Sequence, residues 1–159
     1  MSSLESIPEA LASPNPYPDP YPDPYVESNG VYWFHYDGLD VRQLAQAMNA
    51  VEARFVTITA YQLPKDEGFR LEYHWDLAGR LLGFPFTITS PSIPSIYDLC
   101  EAANWIEREI HEEFAIDFAG RECEPLLLRN GDTLGVNLRE VGASLKPASG
   151  PVAKEEVAK

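Results

Sequence analysis

The stretch from residue 93 to residue 118 constrains the fold of this chain more than any other part. Its apolar residues recur at steps of four, three, four and four, which is the spacing of one face of a helix. They are Leu99, Ala103, Ile106, Ile110 and Phe114. Ser95, with Asp98 three residues later, predicts an N-cap and a capping box. We therefore expect a helix from Ser95 to about Ala115, packed by its apolar face on a sheet.

The sequence before this helix predicts that sheet. Residues 69–77 alternate between apolar and polar side chains, as in a strand with one buried face. Residues 54–63 and 81–90 are rich in apolar, aromatic and β-branched side chains and predict two more strands. Residues 64–68 form a turn between the first two strands. Pro85 has no backbone N–H, so it indicates an edge or a bulge in the last strand.

Two shorter elements precede these three strands. Residues 31–36 are aromatic and lie between two turn sequences, which predicts a short strand. Asp40 is a candidate N-cap for a helix over residues 41–50, whose apolar side chains again follow helical spacing. The predicted fold class is α+β: a single mixed, mostly antiparallel sheet with two helices packed on one face, and flexible N- and C-terminal extensions.

The two ends of the chain differ in composition from the predicted domain, residues 29–139. Residues 1–28 contain the sequence Tyr-Pro-Asp-Pro twice, and alternate prolines favour an extended polyproline II arm. This arm is either a docking arm, with tyrosines that contact a partner, or a solvated extension. Its candidate docking residues are Tyr17, Tyr21 and Tyr25. Residues 140–159 are rich in Ala, Lys, Glu and Gly, and we predict a disordered tail.

Charge and composition exclude several classes of function. The net charge of −13 argues against binding to nucleic acid, which requires clustered Lys and Arg, and against an anionic membrane surface. No apolar run approaches the roughly 18 residues that span a bilayer, and the first residues predict no signal peptide. Cys100 and Cys123 are too few for a disulfide scaffold, which favours a reducing cytoplasm.

The charged residues of the long helix do not match the metal or catalytic patterns that they resemble at first sight. A zinc protease helix has a second His four residues after the first, but Ala115 stands four residues after His111. A di-iron helix has Glu three residues before His, but Arg108 stands there. Two cysteines alone cannot hold an iron–sulfur cluster. We therefore expect no catalytic, metal-binding or cofactor-binding residues in this chain.

The same helix carries a polar stripe with one aromatic neighbour. Asn104, Arg108 and His111 follow each other at i, i+4 and i+7, and Trp105 lies beside them. Trp and Arg are common in binding hot spots, so the stripe is either a partner interface or a solvated face with one partly buried Trp. Within its own helix, Arg108 has only Glu101 or Glu112 as possible partners.

Residues 102–111, Ala-Ala-Asn-Trp-Ile-Glu-Arg-Glu-Ile-His, resemble the signature helix of the 30 kDa subunit family of respiratory complex I, the NADH-quinone oxidoreductase. Pro-Ser-Ile-Tyr-Asp at residues 94–98 resembles the family's approach to this helix. Phe-Ala-Ile-Asp-Phe-Ala-Gly at 114–120 and Pro-Leu-Leu-Leu at 125–128 resemble the segments that follow it. The resemblance covers roughly residues 38–130.

The resemblance implies a subunit without a cofactor of its own. Such a subunit packs against the large subunit of a hetero-oligomer, near a small subunit that bears the clusters, and lies peripherally on the cytoplasmic, inner face of the cell membrane. The Ni–Fe centre or quinone site and the iron–sulfur clusters are then expected in the partner subunits. The signature residues expected at the partner interface are Asn104, Trp105, Glu107, Arg108, Glu109, His111 and Phe114.

Within the family, the chain is more similar to the subunit of energy-converting membrane-bound NiFe hydrogenases. Complex I members continue into Pro-Leu-Arg-Lys-Asp-Tyr soon after the position of Leu128, whereas this chain reads Gly-Val-Asn-Leu-Arg at 135–139. The expected function is a non-catalytic scaffold that supports the large catalytic subunit in electron transfer coupled to ion translocation. The alternatives are the 30 kDa subunit of a complex I-type NADH or quinone oxidoreductase and a free-standing soluble protein-binding module. An independent enzyme is the least favoured interpretation.

Overall fold

The structure is a computed structural model, and it describes residues 4, 7, 11, 25–36, 38–64, 67–129 and 131–139. Its elements in chain order, with the strands and the helices each numbered from one, are β1 (Val26–Ser28), β2 (Val31–Trp33), α1 (Val41–Ala50), β3 (Arg54–Gln62), β4 (Phe69–Leu77), β5 (Arg80–Ile88), β6 (Ser92–Pro94), α2 (Ala103–Phe114) and β7 (Asp117–Ala119). The predicted α+β class, with two helices and a mixed sheet, is confirmed.

The main sheet has five strands in the order β1-β2-β5-β4-β3. β2 and β5 run parallel, and the other neighbours are antiparallel. A second, two-stranded parallel sheet joins β6 to β7, and the prediction of a single sheet did not include it. This small sheet pairs the segment before α2 with the segment after it, so the chain enters and leaves the helix region at the same place in the fold.

The alternation of β4 determines which face of the main sheet is buried. Phe69, Leu71, Tyr73, Trp75 and Leu77 are all buried on one face. On the opposite face, Arg70 and Glu72 form an ion pair with an Nε–Oε1 distance of 2.9 Å. Helix α2 contacts β3, and the core lies between the apolar face of the sheet and the two helices.

Pro85 explains why β2 is shorter than predicted. The Phe34 N–H donates to the Gly83 carbonyl at 2.9 Å, and in a parallel ladder the Phe34 carbonyl would next accept from residue 85. Proline has no N–H to donate, so the pairing of β2 ends at Trp33, three residues before the predicted end. Beyond Gly83, the described part of β5 is an edge on this side, as the proline indicated.

Helix α1 forms as predicted. The Asp40 carboxylate accepts hydrogen bonds from the backbone N–H groups of Arg42 and Gln43 at 2.9 and 3.1 Å, which satisfies two of the donors that a helix start leaves free. Its apolar face is buried, through Val41, Leu44, Ala45, Ala47 and Met48.

The predicted start of the long helix is wrong. Helix α2 begins at Ala103, and Ala102 at its N-cap position makes no side-chain cap bond. Ser95 does not cap α2, because the helix begins eight residues later. Its hydroxyl accepts a hydrogen bond from the Tyr97 N–H at 3.1 Å and donates to the Glu107 carboxylate at 2.6 Å. Asp98 instead pairs with Arg42 of α1 at 2.6 Å. In the predicted apolar stripe, Ala103 and Ile110 are buried, whereas Leu99, Ile106 and Phe114 are only partly buried against the core.

Parts of the predicted N-terminal arm contact the domain. Strand β1 pairs with β2 within the main sheet, and Tyr25 packs its ring against Tyr32 and Phe34. Leu4 and Ile7 are buried in the core. The predicted docking residues Tyr17 and Tyr21, and the predicted disordered tail at 140–159, lie outside the described residues.

Candidate functional site

Glu107 carries a buried charge in the signature helix. Its side chain is fully buried, and the carboxylate accepts hydrogen bonds from the Ser95 hydroxyl at 2.6 Å and from the Ile96 backbone N–H at 2.8 Å. The Arg121 guanidinium lies 3.2 Å away and is itself only 12% exposed. Burying a carboxylate that has no hydrogen-bond donors or counter-charge would destabilise the fold. These three donors therefore stabilise Glu107 and tie α2 to the chain on both sides of it.

Arg121 joins this cluster to the protein surface. Nη2 of Arg121 donates to the Asn104 side-chain carbonyl at 2.7 Å. The guanidinium carbon lies 4.6 Å from the centroid of the Tyr97 ring, in cation–π geometry. Asn104 therefore does not project freely to a partner but orients Arg121 over Glu107.

Glu112 is a second buried carboxylate, 3% exposed. Its two oxygens accept hydrogen bonds from the backbone N–H groups of Leu126, Leu127 and Leu128 at 2.6, 2.8 and 3.1 Å. Burial by itself would raise the pKa of Glu112, but the three N–H donors and the nearby Arg108 outweigh it and hold the pKa below its ordinary value. The negative charge of Glu112 thus anchors the segment after Pro125.

Arg108 has hydrogen-bond partners outside its own helix. Its Nε donates to the Glu124 carbonyl at 2.8 Å, and Nη2 donates to the Pro125 carbonyl at 2.6 Å. Both acceptors lie in the segment after β7, outside the helix that carries Arg108. Arg108 and Glu112 together hold residues 124–128 by their backbone.

The remaining signature residues have different surroundings. The Nδ1 atom of His111 lies 2.8 Å from the Ile116 carbonyl, so this nitrogen carries the proton that is donated there. Phe114 faces the sheet, with its ring centroid 6.2 Å from that of Phe69 in an edge-on contact. Glu109 is partly exposed, and its side chain makes no hydrogen bond or ion pair with any described residue.

Trp105 is the most exposed of the predicted interface residues, at 69%. Its neighbours Asn104 and Arg108 are fixed by hydrogen bonds to Arg121 and to residues 124 and 125. The indole is therefore an exposed apolar side chain on a rigid base. In the predicted stripe, Asn104, Arg108 and His111 make hydrogen bonds within the domain. The exposed Trp105 is the side chain available to contact a partner.

Within the described part of the chain, no group of three or more His, Cys, Asp and Glu residues is arranged to hold a metal ion. Cys100 and Cys123 are half-buried, and burial raises the pKa of both thiols. No described helix combines the length and the apolar character needed to cross a membrane.

Comparison with known proteins identifies the family. Residues 35–141 match the family model described as respiratory-chain NADH dehydrogenase, 30 Kd subunit. The chain belongs to this family. None of the curated proteins matches the chain.

One solved structure of related fold belongs to a membrane complex. A chain of the membrane-bound sulfane sulfur reductase, an archaeal respiratory membrane complex, has a TM-score of 0.60 at 20% identity, with 84% of this chain and 78% of that chain covered. A trypsin-resistant fragment of Nqo5 has a TM-score of 0.49 at 22% identity, with 59% and 83% covered. The likeness to the sulfane sulfur reductase chain supports the fold of this family member.

Sequence reasoning missed Ser95 and Arg121 as partners of Glu107 and Glu112 as a second buried carboxylate, and it listed Glu107 at the partner interface. One signal for Glu107 was available: it lies four residues after Ala103 and three before Ile110, on the buried face of the helix. Glu112 had no such signal, because its donors are backbone N–H groups of a distant segment. Arg121 is likewise brought to Glu107 only by the pairing of β6 with β7.

Proposed function

We propose that this family member is a non-catalytic scaffold subunit of a membrane-bound, energy-converting NiFe hydrogenase. It is one chain of a hetero-oligomer, packed against the large catalytic subunit and near the cluster-bearing small subunit, on the cytoplasmic face of the cell membrane. The Ni–Fe centre and the iron–sulfur clusters belong to those partners. This chain supports electron transfer coupled to ion translocation by holding the partners in place.

The exposed indole of Trp105 carries the scaffold proposal. An aromatic side chain that is 69% exposed, on a helix held by a buried ion pair and by buried hydrogen bonds, has the properties of a binding hot spot. Rigid anchors lose little conformational entropy on binding. Membership of a family of respiratory-chain subunits supports a partner within a multisubunit oxidoreductase.

Replacing Trp105 tests the scaffold role. Because the indole is exposed, Trp105→Ala should leave the thermal midpoint of the isolated chain nearly unchanged. It should lower recovery of the native complex at least about tenfold, as expected for a hot spot worth more than about 1.4 kcal/mol. Val56→Ala, at an exposed apolar position on β3, is the matched control. Equal recovery of the two variants would contradict the role of Trp105.

Purification from native membranes tests the class of complex. A tag on this chain should bring down a large subunit with nickel bound, a cluster-bearing subunit and hydrogenase activity. The absence of the complex I-type segment after Leu128 supports this expectation. Co-purification of an NADH-binding flavoprotein without nickel would overturn it.

A complex I-type quinone oxidoreductase is the second candidate. The matching family model is described by the NADH dehydrogenase subunit, which favours it. The same purification separates the two candidates, because only the second predicts flavin and quinone reductase activity in the recovered complex. A chain recovered alone would instead support a free-standing binding module.

A further inference from the structure

The chain after Pro125 presents apolar side chains to solvent. We call residues 126–129 and 131–139 the strap. Leu127, Leu134, Val136 and Leu138 in the strap are between 42% and 69% exposed. They account for half of the large apolar side chains that are exposed among the described residues, the others being Val56, Tyr61, Tyr97 and Trp105. Such clustering of exposed apolar residues marks an interaction site more often than scattered exposure does.

The backbone of the strap is bonded to the domain at three places, at residues 126–128, 135–137 and 139. Glu112 binds three of its first N–H groups. The Gly135 N–H donates to the Glu112 carbonyl at 2.7 Å, and the Asn137 N–H donates to the Glu113 carbonyl at 2.9 Å. At its far end, the Gln62 side chain bonds to both the N–H and the carbonyl of Arg139, at 2.8 and 3.3 Å.

The orientation of the strap is opposite to that of a segment that packs its side chains on the core of its own domain. In a core-packing segment, apolar side chains point inward, whereas here the polar backbone groups bind the domain and several apolar side chains point outward. The anchoring bonds fix the strap before any partner arrives, so little conformational entropy remains to be lost on binding. From this geometry we infer that the strap is a second docking surface, separate from Trp105.

The occupant that fits the strap is a protein chain with an apolar groove bordered by acidic side chains. The strap contains Arg129, Arg139 and Asp132, which give a net charge of +1 in a chain whose net charge is −13. The exposed guanidinium groups of Arg129 and Arg139 form no ion pair with any described residue. Carboxylates on the rim of the partner groove would complement them.

A lipid surface fits the strap less well than a protein does. The surrounding domain is strongly acidic and would be repelled by anionic headgroups. The strap is also irregular rather than an amphipathic helix, which is the form in which chains usually lie on bilayers. Peptide groups outside regular secondary structure would have to enter the interface with the apolar side chains.

Two pairs of variants in the full chain test the inference. Leu127→Ser with Val136→Ser should leave the thermal midpoint of the isolated chain unchanged, since both side chains are exposed, and should lower recovery of the complex about tenfold. Val56→Ser is the matched control. Arg129→Glu with Arg139→Glu should also lower recovery, while Arg80→Glu, an exposed arginine at the start of β5, should not.

A photo-crosslinking residue at position 136 identifies what covers the strap. The expected product joins this chain to another protein chain of the purified complex. Three results would overturn the inference directly: full recovery of the serine variant, crosslinks only to residues 140–159, or crosslinks to a second copy of this chain. Binding of the wild-type chain to phosphatidylglycerol vesicles that is lost in the serine variant would also overturn it. Full recovery of the complex with the arginine variant would show that the partner groove has no acidic rim facing Arg129 and Arg139.

The inference rests on the proposed function only for the identity of the partner. If the recovered chains contain no oxidoreductase subunit, the proposed function fails, but a crosslink from position 136 to a stoichiometric partner still supports the strap. If the hydrogenase subunits co-purify equally with the serine variant and with the wild type, the strap fails while the proposed function stands.

Discussion

Glu107 receives donors from two segments that are far apart in the sequence. The Ser95 hydroxyl and the Ile96 N–H come from the loop before α2, and Arg121 comes from the turn after β7. Removing one partner from a buried charged pair leaves the other uncompensated, which costs more than the intact pair contributes. Loss of the Glu107 carboxylate would therefore destabilise the fold mainly by leaving the buried charge of Arg121 without its counter-charge.

We expect Glu107→Gln to destabilise the domain by about 3 kcal/mol. The glutamine has the same shape, but its amide nitrogen would face a donor where the carboxylate accepts, and Arg121 would lose its counter-charge. Urea unfolding of the isolated chain measures the change. Glu109→Gln, two residues away on the exposed side, should change the free energy of unfolding by less than about 0.5 kcal/mol. If Glu107→Gln lowers the free energy of unfolding no more than Glu109→Gln does, the cluster does not stabilise the fold.

At the scale of elements, α2 and the strap are joined through one carboxylate. The pKa of Glu112 is held below its ordinary value by three N–H donors and Arg108 in spite of burial. A carboxylate whose pKa is lower when folded stabilises the protein above the unfolded pKa of about 4.3. That contribution is lost as the pH falls through the folded pKa.

We therefore expect the stability difference between wild type and Glu112→Gln to be largest at neutral pH and to shrink as the pH falls below about 4.3, the pKa of an unfolded glutamate. Free energies of unfolding in urea, measured for both proteins across this range, give the difference directly. Glu113→Gln is the control, because Glu113 accepts a strap hydrogen bond only through its backbone carbonyl. A difference that stays constant with pH would show that the charge of Glu112 does not anchor the strap.

The elements themselves were predicted with unequal success for identifiable reasons. Strand β4 was predicted to the residue because its alternation is complete. The start of α2 was misplaced because Ser95 and Asp98 have the spacing of a capping box. In the structure, the Ser95 hydroxyl donates to Glu107 and the Asp98 carboxylate pairs with Arg42. Both partners are distant in the sequence, and spacing rules contain no information on such contacts. The β6–β7 pairing was missed for the same reason.

At the scale of the whole molecule, the core includes residues near the N-terminus that lie far from the sheet in sequence. Leu4 and Ile7 are 6% and 0% exposed, and Leu11 packs against the same core. Their spacing of three and four residues is that of one helical face. This signal was overlooked because the prolines that follow dominate the composition of residues 1–28. Leu4 and Ile7 are therefore part of the core of the domain.

Ile7→Ala tests whether the N-terminal residues belong to the cooperative unit. Truncating a fully buried isoleucine should cost about 2–4 kcal/mol, because it removes apolar contacts and leaves a cavity. We expect one unfolding transition at lower urea, with coincident curves from circular dichroism and tryptophan fluorescence. Leu127→Ala, at a 69% exposed position, is the matched aliphatic control and should unfold like the wild type. If Ile7→Ala also unfolds like the wild type, the N-terminal contacts contribute nothing to the fold, and the segment behaves as the independent arm that its prolines suggest.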